Sequence, residues 1–190
     1  MSYLSKQYLN ELASKKNIDP DKIANGSFVN KKEGDKYGIF LSYSYSDKRF
    51  ALIIYALLIE YGLSVYIDIN DNSLNRDNVN KKTAKRLAKI MDECRSLIYV
   101  HTSSAKASKW CPWELGYMSG KSIFRCAVMP LIEDNKKFLN QEYLNLYPYV
   151  DCEMDEKTKK CTFRVNIFGS NKKYVGLKEF INGKNPYKHK

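Results

Sequence analysis

The chain has 190 residues, a length suited to one domain with a small appendage; 44% are hydrophobic and the formal net charge is +11. Fifteen tyrosines, eight phenylalanines and two tryptophans argue against disorder. The longest apolar run, "FALIIYALLI" (50–59), is too short to span a bilayer, and the polar start "MSYLSKQYLNELASKK" does not read as a signal peptide.

These features predict a cytoplasmic protein with no membrane partner. The lysines are spread along a Lys-, Asn- and Tyr-rich chain, so the charge points to attraction of anionic small molecules rather than to nucleic acid as principal partner. Five cysteines (94, 111, 126, 152 and 161) form no CxxC pair, and His101 and His189 lie far apart, so no metal site is readable. The scattered odd count suits reduced thiols.

In chain order, residues 3–16 read as a helix, followed by a polar connector. Residues 1–34 thus form an N-terminal arm ahead of a domain at 35–185. "YGIFLSY" (37–43) reads as a strand, and "DKRFALIIYALLIEYG" (47–62) as a helix closed by Gly62. "LSVYIDI" (63–69) is a second strand, leading into a polar loop at 70–82. Ala84, Leu87, Ala88, Met91 and Cys94 then repeat at helical spacing, with Lys82, Lys85, Arg86 and Lys89 on the other face. "SLIYVHTS" (96–103) and "RCAVMPLI" (125–132) are further strands. Beyond residue 135 the pattern predicts a helix over "KFLNQEYLNLYPYV", a strand over 161–169 and a closing helix over 175–182.

Four apolar strands alternating with helices predict βαβ units and a parallel sheet. In such sheets ligands bind at the carboxyl ends of the strands. The segments "SYSYSDK", "DINDNSLNRDN" and "TSSAKASKWCPWE" all follow strand ends, which brings Ser44, Asp68 and Glu114 to one edge.

The stretch "SKWCPWELGYMSGK" (108–121) places Glu114 among rings. Trp110 and Glu114 are four apart, as are Trp113 and Tyr117, so each pair shares a helix face. Pro112 fits near a helix start and Ser108 fits as its N-cap. Glu114 then sits near the positive end of the helix dipole, which favours a carboxylate, while apolar walls oppose ionisation. The plainer alternative is an amphipathic helix with the aromatics in the core and Glu114 in water. Trp110, Trp113, Tyr43 and Tyr45 each also suit packing, Asp68 suits a loop cap, and the serines suit turns.

Three segments in this order resemble the Toll/interleukin-1 receptor (TIR) family. "GIFLSYSYSDK" (38–48) is similar to its first signature box, "VYIDIND" (65–71) to its second strand entering the BB loop, and "SKWCPWEL" (108–115) to the W-x-x-x-E element of its NAD-cleaving branch, the bacterial antiphage-defence type. The resemblance covers residues 37–133. It implies an α/β, flavodoxin-like fold with a central parallel sheet of about five strands and helices on both faces. It further implies an NAD+ glycohydrolase or cyclase that makes an ADP-ribose-derived signal nucleotide, with NAD+ as substrate and no cofactor. Glu114 takes the catalytic position, and Tyr43, Ser44, Tyr45, Asp68, Trp110 and Trp113 border the substrate. A homo-oligomer and a separate downstream effector protein are the implied partners. The BB loop lacks the Pro-Gly pair common in animal receptors and adaptors, which argues against receptor–adaptor scaffolding. Two other readings remain: a non-catalytic TIR interaction module, and a nucleoside deoxyribosyltransferase-like enzyme.

The chemistry explains the rings. Nicotinamide leaves as a neutral base, so no acid is needed for the leaving group, and one carboxylate can serve where a glycosidase carries two. Aromatic walls stack the substrate's rings and exclude water, which strengthens the carboxylate's field.

Overall fold

The structure is a computed structural model describing residues 3–26, 36–70, 80–122, 125–133, 142–170 and 172–189. The chain begins with a short strand, β1 (Leu4–Ser5), and α1 (Lys6–Lys15). Ser5 caps α1, its Oγ accepting from the Tyr8 N–H at 3.0 Å. The expected polar connector contains a further helix, α2 (Pro20–Asn25), with Pro20 in its first turn and Asp19 accepting from the N–H groups of Asp21 and Lys22.

The alternating part follows as β2 (Tyr37–Ser42), α3 (Lys48–Glu60), β3 (Val65–Tyr66), α4 (Lys81–Asp92), β4 (Cys94–His101), α5 (Ser103–Ala107), α6 (Cys111–Ser122) and β5 (Cys126–Ile132). The C-terminal part comprises β6 (Tyr149–Met154), β7 (Cys161–Asn166), β8 (Lys173–Gly176), α7 (Leu177–Ile181) and β9 (Tyr187–Lys188).

The sheet runs in the order β3-β2-β4-β5-β6-β7-β8-β9. From β3 to β6 the five strands are parallel, as expected, and β7, β8 and β9 continue the sheet antiparallel. The sheet is therefore mixed and larger than the five strands anticipated. Antiparallel neighbours need only a tight turn, such as Asp155–Lys160, where Asp155 Oδ1 accepts from the Lys157 and Thr158 N–H groups. β1 is parallel to the carboxyl end of β5, with Leu4 opposite Leu131, while β6 meets β5 earlier, at Val128.

Helices cover both faces. One face packs Ile39, Leu41, Ile98 and Val100 against Leu9 and Leu12 of α1, Ile53, Ile54 and Leu57 of α3, and Phe180 of α7. The other packs Phe40, Tyr99 and Val128 against Leu87 and Met91 of α4 and Leu115 and Met118 of α6. Three further expectations change. Residues 137–141 of the segment ending at Val150 lie outside the described residues, and the rest is not the expected helix: residues 142–146 form a 3-10 turn and Tyr149 opens β6, because Pro148 cannot continue a helix and biases its predecessor to extended backbone. The second strand is cut to two residues, with a 3-10 turn at Asp68–Asn70. The segment after β4 holds the extra helix α5, capped by Thr102. All five cysteines are free thiols.

Candidate active site

Strand register builds the centre of the site. In the parallel pair β2–β4, Ser42 lies opposite Tyr99. Paired residues point to the same face, here the one covered by α4 and α6. α6 begins just after Trp110, whose carbonyl accepts from the Glu114 N–H at 2.8 Å. The expected cap is present: Ser108 Oγ accepts from the N–H groups of Trp110 and Cys111 at 3.2 and 3.3 Å. Glu114 thus falls in the first turn of α6 and reaches down to β2, where Ser42 Oγ donates to its Oε2 at 2.6 Å. Both residues are buried, Glu114 with 0% of its surface exposed. This rules out the plainer alternative in which Glu114 points to water.

A charged acceptor shortens and strengthens such a bond. Burial pushes the Tyr99 phenol well above its ordinary range, and the nearby Cys111, Tyr143 and Glu114 add to the effect. Tyr99 also meets His101, its hydroxyl 3.3 Å from Nδ1, at the carboxyl end of β4.

The aromatic ring system is as spaced. Trp110 is buried and meets Trp113 edge to face at 5.6 Å, and Trp113 stacks on Tyr117 at 5.6 Å with an interplanar angle of 30°. Trp113 is 37% exposed, so one indole lies in the core beside Glu114's helix start and the next is open to a ligand. α6 is tied to α4 through Asp92, which accepts from Tyr117 at 2.9 Å and from Lys121. The Lys121 ammonium holds the Asp92 carboxyl below its usual range.

The remaining sequence candidates spread around this centre. Tyr43 is buried in the core of the opposite face. Tyr45 is 70% exposed, with the Lys48 ammonium 5.7 Å from its ring centroid. Ser44 is buried and its carbonyl accepts from the Asp47 N–H at 2.8 Å. Asp68 is buried where the second strand ends. The loop that follows, 71–79, lies outside the described residues.

Ser42 is the residue that sequence reasoning passed over. Its signal was the Ser-Tyr alternation in "SYSYS", from which Tyr43, Ser44 and Tyr45 stand as candidates and Ser42 does not. Asp47 and Thr102 were also missed: Thr102 Oγ1 donates to Asp47 Oδ2 at 2.6 Å, joining the loops after β2 and β4. Among the described residues no cluster of three or more His, Cys, Asp or Glu side chains has metal-binding geometry.

A TIR domain family model matches residues 39–163. The chain is 37% identical over 131 residues, 67% of each protein, to a Bacillus cereus (strain MSX-D12) protein described as a probable 3' cyclic ADP-D-ribose synthase ThsB'. It is 29% identical over 107 residues to a Cytobacillus dafuensis protein described as a putative cyclic ADP-D-ribose synthase TIR2, covering 54% of this chain and 27% of that one. Among solved structures, the TIR domain of the Toll-related receptor TRR-2 from Hydra magnipapillata matches 58% of this chain and 79% of its own at a TM-score of 0.44 and 14% identity.

Proposed function

Because this chain belongs to the TIR domain family, we propose that it cleaves the nicotinamide–ribose bond of NAD+ and converts the remainder into an ADP-ribose-derived signal nucleotide of bacterial antiphage defence. The observation that carries this reading is the buried Ser42–Glu114 pair at the carboxyl edge of the sheet, flanked by Trp110 and Trp113. When the bond between C1′ and the pyridinium nitrogen breaks, its electron pair stays with nicotinamide, which leaves neutral. The positive charge passes to the ribose C1′–O4′ unit. The Glu114 carboxylate stabilises that charge in a site from which water is excluded.

Ser42 holds one carboxylate oxygen and so fixes the orientation of the Glu114 side chain. Trp113 and Tyr45 offer exposed faces to its rings. Tyr43 and Trp110 act through packing, and Ser44 and Asp68 shape the loops beside the substrate. A nucleophilic atom within the ADP-ribose moiety then attacks C1′ and loses its proton, closing a ring, and water in the same place yields linear ADP-ribose. The two relatives described as cyclic ADP-D-ribose synthases support ring closure.

Glu114→Gln tests the assignment, since it removes the charge and keeps the size. Turnover of NAD+ falls about 10²–10³-fold while the folded state persists. Near-normal turnover by the folded variant overturns the assignment. Product chromatography separates cyclic from linear ADP-ribose. Parallel incubation with deoxynucleosides tests the transferase alternative.

Complete burial of Glu114 implies that the covering structure shifts before substrate reaches it. Assembly into a homo-oligomer is the proposed trigger, with a separate effector reading the product. Specific activity then rises with protein concentration, and a constant value across the monomer–oligomer range refutes the trigger.

A further inference from the structure

The first residues of the chain precede the family match, which begins at residue 39, yet they are built into the sheet edge that carries Glu114. β1 pairs with the end of β5, placing Ser5 opposite Ile132. The next residue, Lys6, reaches the loop after β2. Its Nζ lies 3.1 Å from Asp47 Oδ1 and 3.9 Å from Glu133 Oε1, and 5.1 Å from the Phe50 ring centroid.

Asp47 is 3% exposed. Its second oxygen accepts from Thr102 Oγ1 at 2.6 Å, and that same hydroxyl oxygen accepts from the Ala105 N–H at 2.9 Å to cap α5. One buried carboxylate therefore joins three segments: the N-terminal arm, the loop after β2 and the turn after β4. A desolvated carboxylate depends on its cation and donors far more than an exposed one does.

Both loops it joins flank the site. The loop after β2 runs on from Ser42 and carries Tyr43, Ser44 and Tyr45. α5 leads through Ser108 to Trp110 and the start of α6. The Ser42–Glu114 bond ties these segments at one point, and Asp47–Thr102 ties them at a second. We propose that Lys6 is a positioning residue: through Asp47, the N-terminal arm holds the two loops flanking Glu114 at the spacing the substrate requires. The kinetic part rests on the NAD+-cleaving function proposed above. An ion pair with a purely structural role would change melting temperature and leave the Michaelis constant alone.

The test uses the full chain. Lys6→Met breaks the link but strands the Asp47 charge, so the double variant Lys6→Met/Asp47→Asn is made beside it. That pair is neutral and keeps an acceptor for Thr102. Lys6→Arg restores the cation, and Lys22→Met, at an 87% exposed side chain of α2, is the control. Hydrogen exchange of the amides at 44–47 and 102–105 reports the link directly.

In the double variant these amides exchange roughly tenfold faster, and kcat/KM for NAD+ falls roughly ten- to hundredfold, mainly through KM. Lys6→Arg returns both toward the unaltered values. Unchanged exchange in the double variant overturns the proposal, and so does faster exchange with an unchanged KM. If the unaltered chain does not cleave NAD+, the proposed function falls, while the exchange result alone still upholds or overturns the link.

Discussion

Ser42 and Glu114 form a donor–carboxylate pair with both partners withdrawn from water, so losing the donor is costly. A hydrogen bond to a charged group contributes about 1.5–3 kcal/mol. Ser42→Ala is therefore expected to lower kcat for NAD+ by roughly 10–100-fold with KM little changed. Steady-state kinetics checks this, and an unchanged kcat would show that Glu114 is held by other contacts. Asp151 on β6 gives a prediction independent of function. Burial raises its carboxyl above the ordinary 3.8, against the Asn166 hydrogen bond and the Arg164 charge that pull it down. A raised carboxyl favours folding below the unfolded value, and that contribution is lost as pH rises through the folded value. Asp151→Asn is thus expected to raise the melting temperature at pH 7 and to change it little near pH 3, as calorimetry at the two pH values would show.

At the scale of elements, α3 ends where Gly62 adopts a φ of +84°, in the left-handed region, and the Leu63 N–H returns to the Leu58 carbonyl at 3.1 Å. A Cβ at Gly62 meets the Lys178 Nζ at 3.2 Å, the movable end of a long side chain, so the cost of Gly62→Ala is mainly backbone strain. Denaturant unfolding should show a loss of about 1–2 kcal/mol. This glycine was legible because a helix stop has a local chemical mark. So was the α6 start: Ser108, Pro112 and the four-residue spacing of Trp113 and Tyr117 all act within one or two turns. The segment ending at Val150 misled because its leucines and tyrosines fit helical spacing, while Pro148 and pairing with β5 and β7 decided for a strand. Ser42 was missed for a related reason. Its partner is 72 positions away, and no local pattern reports that distance.

For the whole molecule, residues 3–26 of the N-terminal arm pack as part of the fold. Leu9 and Leu12 have no exposed surface and share a core with α3 and α7, and the Tyr8 hydroxyl accepts from the Met154 N–H at 3.2 Å. Leu9→Ala is expected to destabilise the entire protein by about 2–5 kcal/mol in a single transition. An early separate melting of the arm, seen by calorimetry, would contradict this. No helix among the described residues is long and apolar enough to cross a membrane.

Periodicity and turn chemistry in the sequence by themselves determined the main alternation of strands and helices from β2 to β5, the face that α4 buries, and the helix carrying Glu114. These follow from contacts among near neighbours in the chain, where side-chain spacing and backbone sterics act directly. Tertiary structure alone decided which strands pair, that β1 joins β5, that the sheet continues antiparallel through β9, and that Ser42 and Asp47 each bind across the site. Those outcomes depend on which of several compatible surfaces bury the most apolar area while satisfying every buried polar group, a condition set by the whole chain at once.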